Sequence, residues 1–376
     1  MTQTVPPRRA QCPDPPTVAE NITHLTPYRP GKPIEEVERE LGLTDIVKLA
    51  SNENNLGPSP KAIEAMQRAA AQMHLYPEAT APRLREALAR HLGVDEKMLV
   101  FGNGSDDIIH LLGVTFLEPG DEVIQAEPSF VRYKAAAILN NAPCHSLPLD
   151  SGWTHDLEAM AERINAHTRL IFLCNPNNPT GTIVSRAALE RFLDRVPERA
   201  IVVLDEAYFE YAQGPDFPDG SRYVQEGRNV VVLRTFSKIY GLAGLRIGYG
   251  IMRPEIAAWL ERTREPFNVS GMAQAAALAA LADTEHVERT LAMNAAGKQA
   301  FYAGFEALGL PYTPTHANFV WVDVRRDCKA VFEALLRQGV ITRTGDIFGA
   351  PTHLRVTIGR PEENARFLTA LRAALD

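Results

Sequence analysis

Between residues 98 and 251, short apolar runs alternate with stretches whose apolar residues recur every three or four positions. The runs are 98–101, 122–125, 170–173, 201–204, 230–233 and 247–251. Runs of this length, rich in β-branched residues and bounded by turn formers, predict buried strands. The stretches 106–116, 157–164 and 187–196 predict amphipathic helices between them. Strand and helix in alternation imply a mainly parallel α/β sheet with helices on both faces. Sites on such sheets sit at the carboxyl ends of the strands.

The flanks follow other patterns. Residues 1 to about 20 are rich in proline and poor in apolar residues, and read as an arm. Leu25-Thr-Pro-Tyr-Arg-Pro-Gly-Lys-Pro33 is forced into an extended path by its prolines. A helix is predicted over 34–41, stopped by Gly42. The stretch 49–60 is dense in amides and turn formers, so it reads as a loop. Ile63, Met66, Ala70 and Met73 repeat at helical spacing, as do Leu84, Leu88 and Leu92 before Gly93. Beyond residue 285 a long helical pattern at 287–308 precedes strand-like runs at 319–324 and 354–358 and helices at 331–336 and 367–375. That order reads as a smaller α+β domain.

A chain of 376 residues exceeds one ordinary domain. The expected division is an arm at 1–33, a large domain at 51–284, and a small domain from 34–50 joined to 285–376. Hydrophobic residues at 45% and charged residues at 23% fit a soluble globular protein. A net charge of −7 argues against nucleic acid as the main partner. No apolar run is long enough to span a membrane, and Arg8 and Arg9 are not followed by the apolar segment of a secretory signal. Cys12, Cys144, Cys174 and Cys328 show neither CxxC nor metal-ligand spacing. They read as free thiols in a reducing cytoplasm, Cys174 as an inert buried one, and no metal is expected.

Candidate chemistry concentrates in Arg234-Thr-Phe-Ser-Lys-Ile-Tyr-Gly-Leu-Ala-Gly-Leu-Arg-Ile-Gly-Tyr249, directly after a predicted strand. Lys238 among glycines and apolar residues is poorly solvated, which favours the neutral amine, a nucleophile toward carbonyls. The hydroxyls of Thr235 and Ser237 and the guanidinium of Arg246 suit a phosphate. A phosphorylated aldehyde, pyridoxal 5'-phosphate, satisfies both requirements.

Four further motifs each follow a predicted strand. Phe101-Gly-Asn-Gly-Ser-Asp-Asp107 opens a helix, where free N–H groups bind phosphate; Ser105 could also be an ordinary N-cap. Phe130, in Glu127-Pro-Ser-Phe130, is either a ring-stacking aromatic or core. Cys174-Asn-Pro-Asn-Asn-Pro-Thr-Gly181 makes a rigid loop that holds an amide. Asp205 ends a strand, where a carboxylate is costly unless paired. It reads as a helix cap or as the partner of a pyridinium N–H, the pairing the general chemistry of this cofactor supplies.

Taken together, these motifs resemble the class I/II aminotransferases, pyridoxal-phosphate-dependent transferases of fold type I. The resemblance runs from about residue 25 to the end. It implies a mainly parallel seven-stranded sheet in the large domain. It makes Lys238 the Schiff-base lysine, Asp205 the partner of the ring nitrogen, and Asn178 and Tyr208 the ligands of the ring oxygen O3'. Phe130 takes the stacking place, and Gly104, Ser105, Ser237 and Arg246 form the phosphate cup. Tyr76 corresponds to a tyrosine that reaches the neighbouring subunit's cofactor, which implies a homodimer with shared sites. Arg355 in Leu354-Arg-Val-Thr-Ile-Gly359 corresponds to the arginine that forks onto a substrate carboxylate.

Within that family, Leu25–Pro33, Ser51-Asn-Glu-Asn54, Leu56-Gly-Pro-Ser-Pro60 and Val340-Ile-Thr-Arg343 resemble the histidinol-phosphate aminotransferases. The chain departs from them at Asn55, where proline is common, and at Phe130, where tyrosine is common. The resemblance makes Tyr28, from the partner's arm, and Arg343 contacts of the substrate near its phosphate, with Asn54 in the loop beneath it. The implied reaction is transamination between histidinol phosphate and 2-oxoglutarate in histidine biosynthesis. The alternatives are transamination of phenylalanine or tyrosine, and decarboxylation of a phosphorylated amino acid.

Overall fold

A computed structural model describes residues 17–27, 31–212 and 214–376. Seven strands form the main sheet: β1 (Leu99–Gly102), β2 (Glu122–Glu127), β3 (Cys144–Pro148), β4 (Thr168–Cys174), β5 (Ile201–Asp205), β6 (Val230–Thr235) and β7 (Gly248–Ile251). Their order is β1-β7-β6-β5-β4-β2-β3. Only β7 runs against its neighbours β1 and β6; all other pairings are parallel.

The central strands are buried on both faces, which explains their unbroken apolar runs. Along β4, Ile171 and Leu173 enter one core while Leu170 and Phe172 enter the other. The pattern of runs does not reveal β3. Its side chains are mostly half-buried at the sheet edge, it pairs with β2 alone, and it includes His145, Ser146 and Pro148. An edge strand covered on fewer sides needs no continuous apolar run.

A second sheet follows at the C-terminal end: β8 (Tyr312–Thr313), β9 (Phe319–Asp323), β10 (Arg343–Thr344) and β11 (His353–Thr357), in the antiparallel order β10-β11-β9-β8. Val47–Lys48 pairs in parallel with Val340–Ile341, so the chain ahead of the main sheet returns to this unit. Val47 and Leu49 share its core with Phe301, Phe305 and Phe367. The helix Thr284–Ala307 serves both cores, with Val287 and Leu291 against the main one and Phe301 and Phe305 in the smaller.

One helical stripe differs from its sequence reading. The helix Pro60–Ala70 buries Ala62 and Ala65, while Ile63 and Met73 are exposed. It packs on the alanine-rich helix Gly271–Leu281, and small residues on both sides let the two backbones approach closely. Ile63 is thereby turned outward, while Met66 stays packed against the main core.

Behind β5 and β6 lies a buried ion pair. Arg234 donates through Nε and Nη2 to Glu206 Oε2 at 2.9 and 2.8 Å, and Gly220 N–H donates to Glu206 Oε1 at 2.8 Å. Asp219 accepts a further bond from Arg234 Nη2 at 2.6 Å, and the guanidinium carbon lies 3.4 Å from the centroid of the Phe209 ring. Removing one partner of such a pair strands the other charge away from water. Glu206→Ala is therefore expected to lower unfolding stability by about 3–5 kcal/mol in a urea titration. Asp219→Ala, at a half-exposed carboxylate, is expected to cost clearly less.

Candidate active site

The carboxyl ends of β4, β5 and β6 and the start of the helix Ser105–Phe116 converge on one cavity of about 190 Å³. Ser105, Phe130, Asn178, Asp205, Tyr208, Ser237, Lys238, Arg246, Arg343 and Arg355 all line it. It shares Phe130, Asn178, Arg343 and Arg355 with an adjoining cavity of about 800 Å³.

Lys238 follows β6 and donates from Nζ to Ser51 O at 3.2 Å. Burial lowers its ammonium to about 8, with the Arg355 and Arg246 guanidinia pushing the same way against Glu53 and Asp205. The amine is thus partly neutral near neutral pH. Asp205, the last residue of β5, is buried; its Oδ2 accepts from the Tyr133 hydroxyl at 2.7 Å and its Oδ1 from Ala207 N–H at 3.2 Å. Burial pushes this carboxyl up to about 6 despite those two donors. A carboxylate has about four acceptor positions, so two donors leave capacity for a cation in the cavity.

One end of the cavity is shaped for a small anion. Gly104 has φ +82, and a Cβ there would overlap the Arg246 guanidinium. Gly248 lies opposite Gly102 in the β1–β7 ladder, and a Cβ on it would overlap the backbone N of Ser105. Among the described residues no side chain caps the helix that Ser105 begins, which leaves N–H groups of its first turn for an anion at this end. Arg246 Nη1 donates to Ser237 Oγ at 3.3 Å, holding guanidinium and hydroxyl together. Thr235, expected beside the anion, lines the same cavity; its Oγ1 accepts Ser237 N–H at 3.0 Å and braces the turn.

Arg355 donates from Nη1 to Asn178 Oδ1 at 2.6 Å and from Nη2 to Ala50 O at 2.6 Å. A guanidinium only donates, so the Asn178 oxygen must face it and the amide N–H₂ is directed elsewhere. Tyr208 accepts from Asn52 Nδ2 at 2.9 Å. Phe130 stands edge-on to Tyr133 at 5.6 Å. Pyridoxal 5'-phosphate fits this set: an anion cradle, an amine for its aldehyde, a buried carboxylate for its ring nitrogen, and two polar groups for its ring oxygen.

Two expected residues line neither cavity of this chain. Asn54 donates to Ile239 O at 2.9 Å and Thr290 Oγ1 at 3.2 Å and accepts Leu56 N–H at 3.0 Å. Its amide braces the loop after Lys238, and it lines neither cavity. Tyr76 is 82% exposed and stacks on Phe267 at 4.8 Å. Tyr28 lies outside the described residues. Tyr133 and Asn52 were not anticipated. Their partners, Asp205 and Tyr208, are 72 and 156 residues away, so no local pattern marks them.

Residues 44–371 match the family model for aminotransferase class I and II. The chain is 53% identical over 361 residues to histidinol-phosphate aminotransferase of Moorella thermoacetica, covering 96% of this chain and 93% of that one. It is also 53% identical to the enzyme of that name from Symbiobacterium thermophilum, over 94% of this chain and 97% of that one. Its fold is similar to a crystal structure of histidinol-phosphate aminotransferase from Sinorhizobium meliloti in complex with pyridoxal 5'-phosphate. That match has a TM-score of 0.88 and 28% identity, covering 95% of this chain and 97% of that chain.

The charge state of Lys238 sets a measurable rate. Below about 8 the amine is mostly protonated and cannot attack an aldehyde; above it the amine is neutral. Apo-protein mixed with pyridoxal 5'-phosphate is expected to form the covalent link faster as pH rises through about 8, then level off. Removing the Arg355 cation raises the lysine, so Arg355→Ala is expected to move that midpoint upward in stopped-flow absorbance.

Proposed function

The chain belongs to the class I and II aminotransferases, in the histidinol-phosphate aminotransferase family, and on that premise we propose that it transfers the amino group of histidinol phosphate to 2-oxoglutarate. The products are the corresponding keto phosphate and glutamate. The observation that carries the substrate is the register of Arg343 and Arg355. They are direct partners on the antiparallel strands β10 and β11 and line both cavities. A dianionic phosphate set against both guanidinia is attracted by both. The two carboxylates of 2-oxoglutarate suit the same pair, whereas the single carboxylate of phenylalanine needs only one such fork.

Pyridoxal 5'-phosphate would be held by Lys238, by Gly104, Ser105, Ser237 and Arg246 at its phosphate, and by Phe130, Asn178, Asp205 and Tyr208 around its ring. When bound, it supplies an electron sink for the charge left when the substrate's α-proton departs. Lys238 is the base that takes the proton from the substrate α-carbon and returns one later; its lowered ammonium suits both duties. Asp205 keeps a negative charge beside the ring nitrogen, and Tyr133 keeps Asp205 in place. Arg343 and Arg355 orient the substrate by its anionic end. Tyr28 is proposed to meet the substrate beside them.

Aromatic amino-acid transamination remains the second reading. The larger cavity is walled by Ile22, Leu25, Phe130, Ile347 and Phe348, which accept a phenyl ring as readily as an imidazole. An amine-donor panel with 2-oxoglutarate separates the two. Faster glutamate formation from phenylalanine than from histidinol phosphate would overturn the first.

The domain division at residues 50 and 285, with an arm before residue 34, carries over into this proposal. It is supported by the strand Val47–Lys48 pairing into the smaller unit. We further propose a homodimer. Exposed Ile63, Met73, Leu75, Tyr76 and Phe267 give a surface for it, and Tyr76 would complete the neighbouring subunit's phosphate cup.

Two outcomes are expected. Arg343→Ala raises KM for histidinol phosphate by roughly 10- to 100-fold, the worth of one charged hydrogen bond, and affects phenylalanine much less. Inactive Lys238→Ala chains mixed with weakly active Tyr76→Ala chains recover activity through one intact site per mixed dimer. Activity that stays at the level of the separate variants would remove the shared site.

A further inference from the structure

Asn52 is buried at 1% exposure and holds φ +56, a conformation that asparagine tolerates better than other side-chain-bearing residues. Four hydrogen bonds fix it there. Its N–H donates to Thr357 Oγ1 at 2.9 Å, and its carbonyl accepts from Asn318 Nδ2 at 3.0 Å. Its side-chain oxygen accepts from the Thr357 hydroxyl at 3.2 Å, and its side-chain N–H₂ donates to the Tyr208 hydroxyl oxygen at 2.9 Å.

The direction of these bonds follows from counting donors. Thr357 Oγ1 already accepts the Asn52 N–H, so its own proton needs an acceptor, and Asn52 Oδ1 is the one within reach. The Asn52 amide can then offer only N–H to Tyr208. A phenol has one proton and two lone pairs, so a tyrosine that receives Asn52 N–H keeps its proton for another acceptor. Tyr208 is 3% exposed and lines the cavity beside Asn178, Asp205 and Lys238, so a group bound in the cavity can accept that proton. The titratable and charged groups bearing on that hydroxyl are the Arg355 guanidinium, the Cys174 thiol and the Asp205 carboxylate, with Lys238 Nζ 5.8 Å from the ring centroid.

We propose that Asn52 is a positioning residue that turns the Tyr208 hydroxyl into a donor toward the bound cofactor. It also ties that donor to β11, because Thr357 sits two residues after Arg355 on the same face of the strand. The hydroxyl that tunes the cofactor and the guanidinium that binds substrate are thus referenced to one strand. The proposal rests on the reading that Tyr208 faces the ring oxygen of pyridoxal 5'-phosphate.

The test reads the holoenzyme's visible absorption against pH, without substrate. A donor to the ring oxygen stabilises its anion, so losing that donor raises the pH midpoint of the absorption change. Tyr208→Phe is expected to raise the midpoint. Asn52→Gly keeps the backbone conformation and is expected to raise it by roughly one pH unit, a tenfold change in the acid dissociation constant. In the Tyr208→Phe background, Asn52→Gly should add nothing. An equal shift in both backgrounds, or no shift in either, overturns the proposal. A midpoint unmoved by Tyr208→Phe overturns instead the reading of Tyr208 on which it rests. Thr357→Val, which removes the hydroxyl that orients the Asn52 amide, should give a smaller rise that also needs Tyr208. That variant carries the test if Asn52→Gly does not fold.

Discussion

Asp205 is a carboxylate that cannot reach water, and the site is arranged around keeping its charge. It ends β5, the middle strand of seven, where the sheet covers it on both sides. Burial alone would neutralise it. The Tyr133 hydroxyl and the Ala207 N–H oppose that only in part, and the carboxyl titrates near 6. A buried acid held between charged and neutral forms is well matched to a ring nitrogen that carries a proton. The same burial acts in the opposite sense on Lys238, lowering its ammonium to about 8. Burial in one cavity thus raises a carboxyl and lowers an ammonium.

The second constraint is that two separate sheets must meet at that cavity. Arg355 crosses from β11 to Asn178 and to the carbonyl of Ala50. Thr357, from the same strand, grips Asn52, which in turn grips Tyr208. These bonds are short, buried and few. They make the position of the smaller sheet the determinant of how Arg355, Asn178 and Tyr208 face one another across the cavity. Arg343 joins them through its register opposite Arg355, which places two guanidinia on one side of the pocket.

Glycines supply the remaining geometry where an anion must approach backbone. Gly104, Gly248 and Gly102 leave the space through which Arg246 and the start of the helix Ser105–Phe116 converge. A single methyl at Gly104 or Gly248 would fill it. The arm contributes differently: Asn21 donates to the carbonyls of Ile138 and Leu139 at 3.0 and 3.2 Å, so Ile22 and Leu25 become a wall of the larger cavity.

The sequence by itself determined the sheet's central strands, because a strand buried on both faces must be apolar throughout. It also marked the residues that end those strands with chemistry: Ser105, Asn178, Asp205 and Lys238. Their meaning is local, since a strand end followed by a polar or basic side chain is legible within a few residues. The edge strand Cys144–Pro148 was not legible, because partial exposure relaxes the pattern. Neither were Tyr133 and Asn52, whose roles are hydrogen bonds to residues far along the chain. Asn54 and Asn52 differ by two positions in one amide-rich loop, and nothing in their order says which reaches the site. Only the tertiary structure decided it. The φ +56 turn at Asn52 directs its amide to Tyr208, while Asn54 is held by Ile239 and Thr290. Hydrogen-bond partners are chosen by packing in three dimensions, and residue order does not encode them one by one.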